Sequence, residues 1–428
     1  MGVRTRKLGN LVDQLVEWQT VVVADGSTGL TASAGRGYFI NTTSGAITVT
    51  LPSSPKKGDV IVINDYAGTF DTNAVTINRN GSNINGAAGN GILNTESQTA
   101  TLTFIDATRG WQTTSNATPE SIGATYISAT GGTVTTSGDY KIHTFTGDSN
   151  FVVASVGNPL GSSAVDYVVV AGGGAGGAGF NNSGNSAGGG GAGGYRESHS
   201  TAVSGPYTAS PLATPSGITL SAQTYPITVG GGGSAQCKAS TSSSTPGNGS
   251  NSVFATITAA GGGAGQNRGY NPQVGLAGGS GGGGTGGLSG GAGNTPPVSP
   301  SQGNNGGTAT GNTGGGGGGA TAVGANAPGP NTAGAGGAGA TSGITGSNVA
   351  RAGGGGSGGS SNGSGATGAT GGTGGGGKGS DEDGSPAGAV AGSANTGGGG
   401  GGGGGSDPGT NSGAGGKGIV ILRYKYQN

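Results

Sequence analysis

The stretch Val165-Asp166-Tyr167-Val168-Val169-Val170-Ala171-Gly172-Gly173-Gly174 passes without a break from a β-branched strand into bare glycine. The chain closes on the reverse transition, Gly416-Lys417-Gly418-Ile419-Val420-Ile421-Leu422-Arg423-Tyr424. Most of the 110 glycines among the 428 residues lie between these two points. Glycine loses more conformational freedom on folding than any other residue, so a chain this rich in it ordinarily stays a coil. Strands framing the runs at both ends point instead to an ordered architecture of bare backbone. Chains without Cβ atoms can lie side by side as threefold helices of polyproline-II geometry, rising ~3.1 Å per residue. Their N–H and C=O groups then bond laterally to neighbouring chains, helped by weak Cα–H···O contacts. Such an array is a polyglycine-II lattice. Collagen needs a strict Gly-X-Y period, which the run Gly397 to Gly405 breaks.

Both framing strands are apolar, as the central pair of a sheet is. They are expected side by side in one small sheet at the base. Two apolar islands, Tyr225 to Val229 and Ser252 to Thr258, are expected to add to that sheet, with the glycine runs projecting from it as loops. Polar irregular segments, among them Tyr195 to His199, Asn267 to Tyr270, Asn294 to Asn305 and Asp381 to Asp383, are expected as turns at the loop tips. Loop tips on a rigid scaffold are where binding residues concentrate.

Upstream, β-branched or alternating runs (Ala46 to Leu51, Asp59 to Ile63, Ala74 to Ile77, Ala100 to Ile105) are separated by the turn signals Pro52 to Gly58, Asn80-Gly81 and Asn85-Gly86. They predict a small β-sandwich or barrel with Trp111 closing its core. Further strands are expected at Tyr140 to Thr146 and Asn150 to Ala154. At the start, Leu8, Leu11, Val12, Leu15 and Val16 fall on one face of a short helix ending near Trp18. That face either packs on the next domain or serves self-association and docking into a larger assembly. The fold class expected is therefore mainly β: an attachment helix at 1–20, a sandwich-like module at 21–117, a β collar at 118–164 and a glycine-rich domain at 165–428.

Composition excludes several classes. Charged residues are 8% and the formal net charge is zero, so no electrostatic footprint for nucleic acid or an anionic membrane exists. No stretch of about 18 apolar residues suits a transmembrane helix. The basic start, Met1 to Lys7, is followed by Asp13 and Glu17 where a signal peptide would be apolar, so secretion by that route is not expected. One cysteine, Cys237, offers no internal disulfide.

The strand-to-glycine boundaries quoted above, together with Tyr225-Pro226-Ile227-Thr228-Val229-Gly230-Gly231-Gly232-Gly233, resemble the glycine-rich domain of bacteriophage tail-fibre and other virion proteins. The likeness covers roughly residues 140–428. Gly58-Asp59-Val60-Ile61, Asp65 to Thr69 and Val75 to Gly81 are similar to a β module repeatedly fused in phage fibres. A looser similarity, in architecture alone, is to the distal tail-fibre adhesins of T-even-like phages. The resemblance implies a virion appendage, a homotrimer, that meets other virion proteins through its N-terminus and a host surface protein or glycan through its C-terminal domain. The N-terminal helix departs from those adhesins, which attach to a separate long fibre.

Catalytic motifs are weak. G-x-G-x-x-G recurs by composition without the strand-to-helix setting that gives it meaning. Gly377-Lys378-Gly379 and Gly416-Lys417-Gly418 lack the Ser or Thr that a phosphate loop needs after its Lys. His143 is expected as a surface ring on an alternating strand, and with His199 and Cys237 it gives no zinc-ligand spacing. Asp381-Glu382-Asp383 lacks the alternating ligands of a calcium loop. A carboxylate pair for glycoside cleavage is not singled out among Asp59, Asp65, Asp71 and Asp106. The reading is thus no enzyme, no cofactor and no metal. Tyr195, Arg196, His199, Tyr207, Arg268, Tyr270, Arg351, Asp381, Glu382 and Asp383 are the receptor-binding candidates, because Tyr and Arg anchor interfaces; the alternative is that they seal the lattice edges. Leu8, Leu11, Val12, Leu15, Val16 and Trp18 are the attachment candidates. The function expected is a host-binding fibre or spike adhesin, and the alternative is a capsid or tail decoration fibre.

Overall fold

The computed structural model describes residues 16–113, 125–158, 161–179, 184–237, 245–267, 274–360, 366–382, 388–405 and 410–427. The chain divides into two compact units, one formed by residues up to Ser128 with Ser155–Ser163, the other by Ala129–Ala154 with Ala164–Tyr426.

In the first unit the strands are β1 (Glu17–Trp18), β2 (Val22–Val23), β3 (Gly29–Thr31), β4 (Arg36–Asn41), β5 (Ile47–Thr50), β6 (Val60–Asp65), β7 (Val75–Asn78), β8 (Gly91–Leu93), β9 (Thr99–Asp106) and β10 (Gly110–Thr113). One sheet runs β1-β4-β6-β9-β10 with β2 also on β4, and the other runs β3-β5-β7-β8. From β2 to β7 consecutive strands fall alternately in the two sheets, and β2, β4 and β6 pair parallel, as do β3, β5 and β7. Parallel neighbours usually need a crossover helix. Here the crossover is a strand of the other sheet, so the chain winds as a flattened coil. The alternation turns Ile40, Ile61, Ile63 and Leu102 of one sheet and Ile47, Val49, Val75 and Ile77 of the other into a shared core. Trp111 is fully buried there, its ring edge-on to Phe104 at 5.6 Å. Asn85-Gly86 and Asn80-Gly81 both take positive φ, as tight hairpin turns require.

Two expectations are corrected in this unit. The sheets do not close into a barrel. Glu17–Trp18 is a strand parallel to β4, held by bonds from Glu17 N to Gly35 O (2.7 Å) and from Gln19 N to Gly37 O (2.8 Å), and is not the end of a helix. Extended backbone there lets Trp18 stack on Phe39 at 4.4 Å while remaining 46% exposed. Val16 lies at the edge of the described residues, and Leu8, Leu11, Val12 and Leu15 lie outside them.

The second unit contains β11 (Ser128–Thr130), β12 (Thr133–Ser137), β13 (Tyr140–Phe145), β14 (Ser149–Ser155), β15 (Ala164–Val170), β16 (Tyr195–Ser198), the short helix α1 (Thr201–Ser204), β17 (Ala213–Thr214), β18 (Ile218–Thr219), β19 (Thr224–Thr228), β20 (Ser252–Phe254), β21 (Ile257–Ala259), β22 (Ala340–Ser342), β23 (Val349–Arg351) and β24 (Ile419–Lys425). The base sheet runs β12-β13-β24-β15-β16-β17, so the first and last strands around the glycine are central neighbours, paired antiparallel from Asp166↔Arg423 to Val170↔Ile419. The two apolar islands are not part of it. They form β19, β20 and β21 of a separate sheet, β11-β14-β19-β20-β21, in which Phe151 and Phe254 meet edge-on at 6.3 Å. Phe151 meets Phe145 at 6.4 Å, Tyr424 at 6.3 Å and His143 at 5.0 Å.

The glycine runs bond laterally with a three-residue rhythm. Along 172–179, Gly172 and Ala175 donate to Ser250 and Gly247, Gly173, Gly176 and Gly179 to Gly416, Gly413 and Thr410, and Gly174 and Gly177 to Gly191 and Gly188. Each run thus addresses three neighbours in rotation. In 397–405 every N–H is bonded: Gly399, Gly402 and Gly405 reach Gly353, Gly356 and Gly359, while Gly400 and Gly403 reach Gly174 and Gly177. The longest unbroken glycine run is therefore fully enclosed by other runs. Where a run lacks a neighbour, a side chain supplies the acceptor: Asn248 for Ala264 N (2.8 Å), Asn251 for Gly261 N (2.9 Å), Asn305 for Gly293 N (2.8 Å) and Asn326 for Thr308 N (2.8 Å).

A Cβ at Gly401 would overlap the Lys378 carbonyl, whereas one at Gly231 meets nothing within 4 Å. Gly401→Ala is therefore expected to cost at least ~1–3 kcal/mol, as overpacking does. Gly231→Ala should be neutral or add ~0.4–1 kcal/mol by narrowing the unfolded ensemble. Urea midpoints of the two variants check this; equal shifts would contradict the lattice packing.

Candidate functional site

The residues nominated from sequence divide into groups at opposite ends of the second unit. At the base, Tyr195 and Arg351 sit on β16 and β23 and are 1% and 5% exposed. They are not at loop tips. Strand pairing of Tyr195 with Val170 fixes it beneath the runs, where no external surface can reach it. Its hydroxyl donates to Glu197 Oε2 at 2.8 Å. Glu197 also accepts from Ser210 N (3.1 Å) and from Ser342 Oγ to its Oε1 (2.6 Å). Burial pushes the Tyr195 hydroxyl well above its usual range, and the Glu197 carboxylate adds to that. Burial likewise lowers the pKa of Arg351, against the charge of Tyr195 and Glu197.

A second buried carboxylate completes the cluster. Asp166 on β15 accepts from Ser198 Oγ (2.7 Å), Ser200 N (2.8 Å) and Ser204 Oγ (2.6 Å), pinning α1 against the sheet. Arg423, its cross-strand partner, donates from Nε to Ser204 O (2.8 Å) and from Nη1 to Ile344 O (3.1 Å). The guanidinium also lies over the rings of Tyr140 and Tyr207, at 4.9 and 5.3 Å. Half-buried Tyr207 donates to Ser198 O (3.3 Å), packs on His199 at 4.2 Å, and has its pKa raised chiefly by burial. His199 Nε2 lies 3.0 Å from Gly205 O. Arg196 is half-buried on β16 opposite Val169. Both carboxylates are enclosed and engaged by several donors each, an arrangement that clamps chain segments together and presents no proton to a substrate. Asp166, Glu197 and Arg423 were missed in sequence; a charge inside a near-continuous apolar strand is the signal that marks Asp166 and Arg423, whereas Glu197 sits in the polar strand Tyr195–Ser198 and carries no such mark.

The far end is where outgoing and returning runs meet, as in the bonds Gly179 N to Thr410 O (3.0 Å) and Ser186 N to Asn312 O (2.9 Å). Asn294–Asn305, expected among the tips, lies at the base instead: Gln302 O accepts from Tyr195 N at 2.8 Å. Asp381 and Glu382 do lie toward the far end, and both hold backbone. Asp381 Oδ1 accepts from Lys378 Nζ (2.9 Å) and Gly368 N (2.8 Å), and Glu382 Oε2 from Ala366 N (2.9 Å). Burial works to raise the Asp381 pKa, but the bonds from Lys378 and Gly368 outweigh it and lower it. Arg268, Tyr270 and Asp383 lie outside the described residues. Turns are described at Thr310–Thr313 and Gly329–Thr332. Exposed Val274 and Leu288 end adjoining runs nearby, with Gly275 N bonded to Ser289 O (3.1 Å) and Ala309 N to Leu288 O (3.0 Å). Sequence reasoning passed over these two; a lone large apolar residue in a Gly, Ala and Ser context is their only mark.

Residues 146–425, which contain all the runs and the base-sheet strands β15, β16, β17 and β24, match a glycine-rich domain. The chain belongs to that glycine-rich domain family. No curated protein matches it. Within the glycine-rich domain no group of His, Cys, Asp and Glu among the described residues could hold a metal ion. In the first unit Asp59, Asp65 and Asp106 accept backbone N–H groups of their own turns, from Lys56, from Thr69 and Phe70, and from Thr108 and Arg109, and Asp65 also accepts from the distant Ser97 N. No helix of the described residues is long and apolar enough to cross a membrane.

Removing the Tyr195 hydroxyl leaves a buried carboxylate one donor short. Tyr195→Phe should therefore lower stability by about 1.5–3 kcal/mol, the range for bonds to charged groups, read as a shift in urea midpoint. A variant as stable as the parent would show that the clamp is not holding the base.

Proposed function

We propose that the chain is a phage virion fibre or spike adhesin, a homotrimer that binds a host surface protein or glycan through the far end of a polyglycine-II scaffold. The observation that carries this reading is the rotation of lateral bonds among three neighbours, which makes a stiff support from backbone and brings many turns to one end. A support of that kind orders contact residues before binding, so little entropy is lost on association. The resemblance of the strand-to-glycine boundaries to virion proteins supports the same assignment, with the N-terminal residues attaching to other virion proteins. Tyr195 and Arg351 are withdrawn from the contact set because both are buried, and Arg196, His199 and Tyr207 because they lie at the base; Val274 and Leu288 enter it.

The alternative, a capsid or tail decoration fibre, draws on the same burial of the nominated anchors. Labelled full-length protein, applied to intact cells of a bacterial panel, separates the two. The adhesin reading expects saturable binding to a restricted set of strains and competition with phage adsorption. Absence of binding to every strain the phage infects would favour decoration. Val274→Asp combined with Leu288→Asp should weaken binding roughly tenfold or more, as losing contacts of about 2 kcal/mol does, without moving the urea midpoint.

A further inference from the structure

His143 was expected as a surface ring and is fully buried at the centre of β13. Its Nδ1 lies 2.7 Å from Gly131 O and its Nε2 lies 3.0 Å from the Tyr424 hydroxyl. A carbonyl can only accept, so the proton of the neutral ring is on Nδ1 and Nε2 accepts from Tyr424. The ring also stacks on Tyr424 (5.6 Å, 21°) and meets Phe151 edge-on (5.0 Å, 78°). One side chain thus joins Gly131, where the chain leads into β12, to β24, where it leaves the glycine-rich domain, and to the facing sheet.

The groups around the ring cannot compensate a positive charge. Tyr424 faces it from β24, and Lys141, a cation, lies on its own strand. Neither β12 (Thr133–Ser137) nor β14 (Ser149–Ser155) carries a charged residue. Arg423 of β24 alternates to the opposite face, over Tyr140 and Tyr207. Burial lowers the His143 pKa; the Gly131 bond works against this and the charge of Lys141 works with it.

We propose that His143 is an acid-sensitive latch: a proton taken from solvent onto Nε2 turns that nitrogen from acceptor to donor, so that the Tyr424 hydroxyl must turn and accept, and the buried charge, with Lys141 on the same face and no carboxylate against it, loosens the β12–β13 hairpin from the closing strand. The glycine runs contain no histidine and are left intact. Because the folded pKa lies below the unfolded value of about 6.5, the latch holds fully above that pH. It weakens as pH falls from there toward the folded value, each unit of separation between the two reducing the folding equilibrium tenfold.

Full-length protein with labelled histidine gives two ring signals to follow by NMR between about pH 7.5 and 4.5. The expected result is that the His143 ring protonates only below pH 6.5, and that amide exchange in β12 and β13 accelerates in step with it. His143→Gln should keep an amide near both partners and lose the pH dependence of that exchange, while His199→Gln should retain it. A His143 ring that titrates at or above its unfolded value, or His143→Gln showing the same acid-induced loss as the parent, would overturn the latch. If His143→Gln does not fold, the ring titration and exchange of the parent decide alone.

Discussion

Close approach of backbones is the constraint on which the second unit depends. At position after position in the runs a Cβ would overlap the carbonyl of the next run, as at Gly173 against Gly398 or Gly399 against Gly190. Removing the side chain lets peptide groups bond to neighbours on three sides, which a β-strand, bonded on two, cannot do. The entropy that glycine loses is thereby offset by saturation of nearly every peptide group in the interior runs. Run length follows from this geometry: the enclosed segment 397–405 is all glycine, while outer segments such as 366–370 carry Ala and Thr where they face solvent.

Such an array buries few apolar side chains beyond the methyls of residues such as Ala175, Ala187 and Ala264 to hold its ends in register. That task falls to the base, where the antiparallel β15–β24 pair fixes the first and last runs, and to the buried network of Asp166, Glu197 and Arg423 that fastens the intervening loops. Buried carboxylates with several donors are costly to disturb and specific in what they accept. They suit a scaffold whose repetitive runs could otherwise slip by one residue and meet equivalent partners. At the rims, Asn side chains stand in for absent neighbours, which ends the lattice without leaving peptide groups unpaired.

The first unit reaches order by a different route. Its apolar residues alternate along short strands, and the alternation alone would suit either antiparallel hairpins or the observed coil. Parallel pairing of β4 with β6 and of β5 with β7 brings together segments far apart in sequence through the strand between them. The antiparallel β9 and β10 then close one edge, with Trp111 filling the end of the core.

Sequence by itself determined four strands of the first unit, β5, β6, β7 and β9, together with the burial of Trp111, the central pairing of the two strands that frame the glycine, and the demand for lateral bonding among the runs. These follow from local alternation, from wholly apolar strands and from the absence of Cβ, all of which are written in adjacent residues. Tertiary structure alone decided the winding of the coil, the separation of the two apolar islands into a second sheet, and the fate of the polar candidates. Tyr195 and Arg351 look like exposed anchors in a polar context, yet pairing with β15 and β22 buries them; His143 looks like the wet side of an alternating strand, yet a facing sheet covers it. Burial of that kind depends on which distant surface is laid over a residue, and no periodicity within a single strand carries that information.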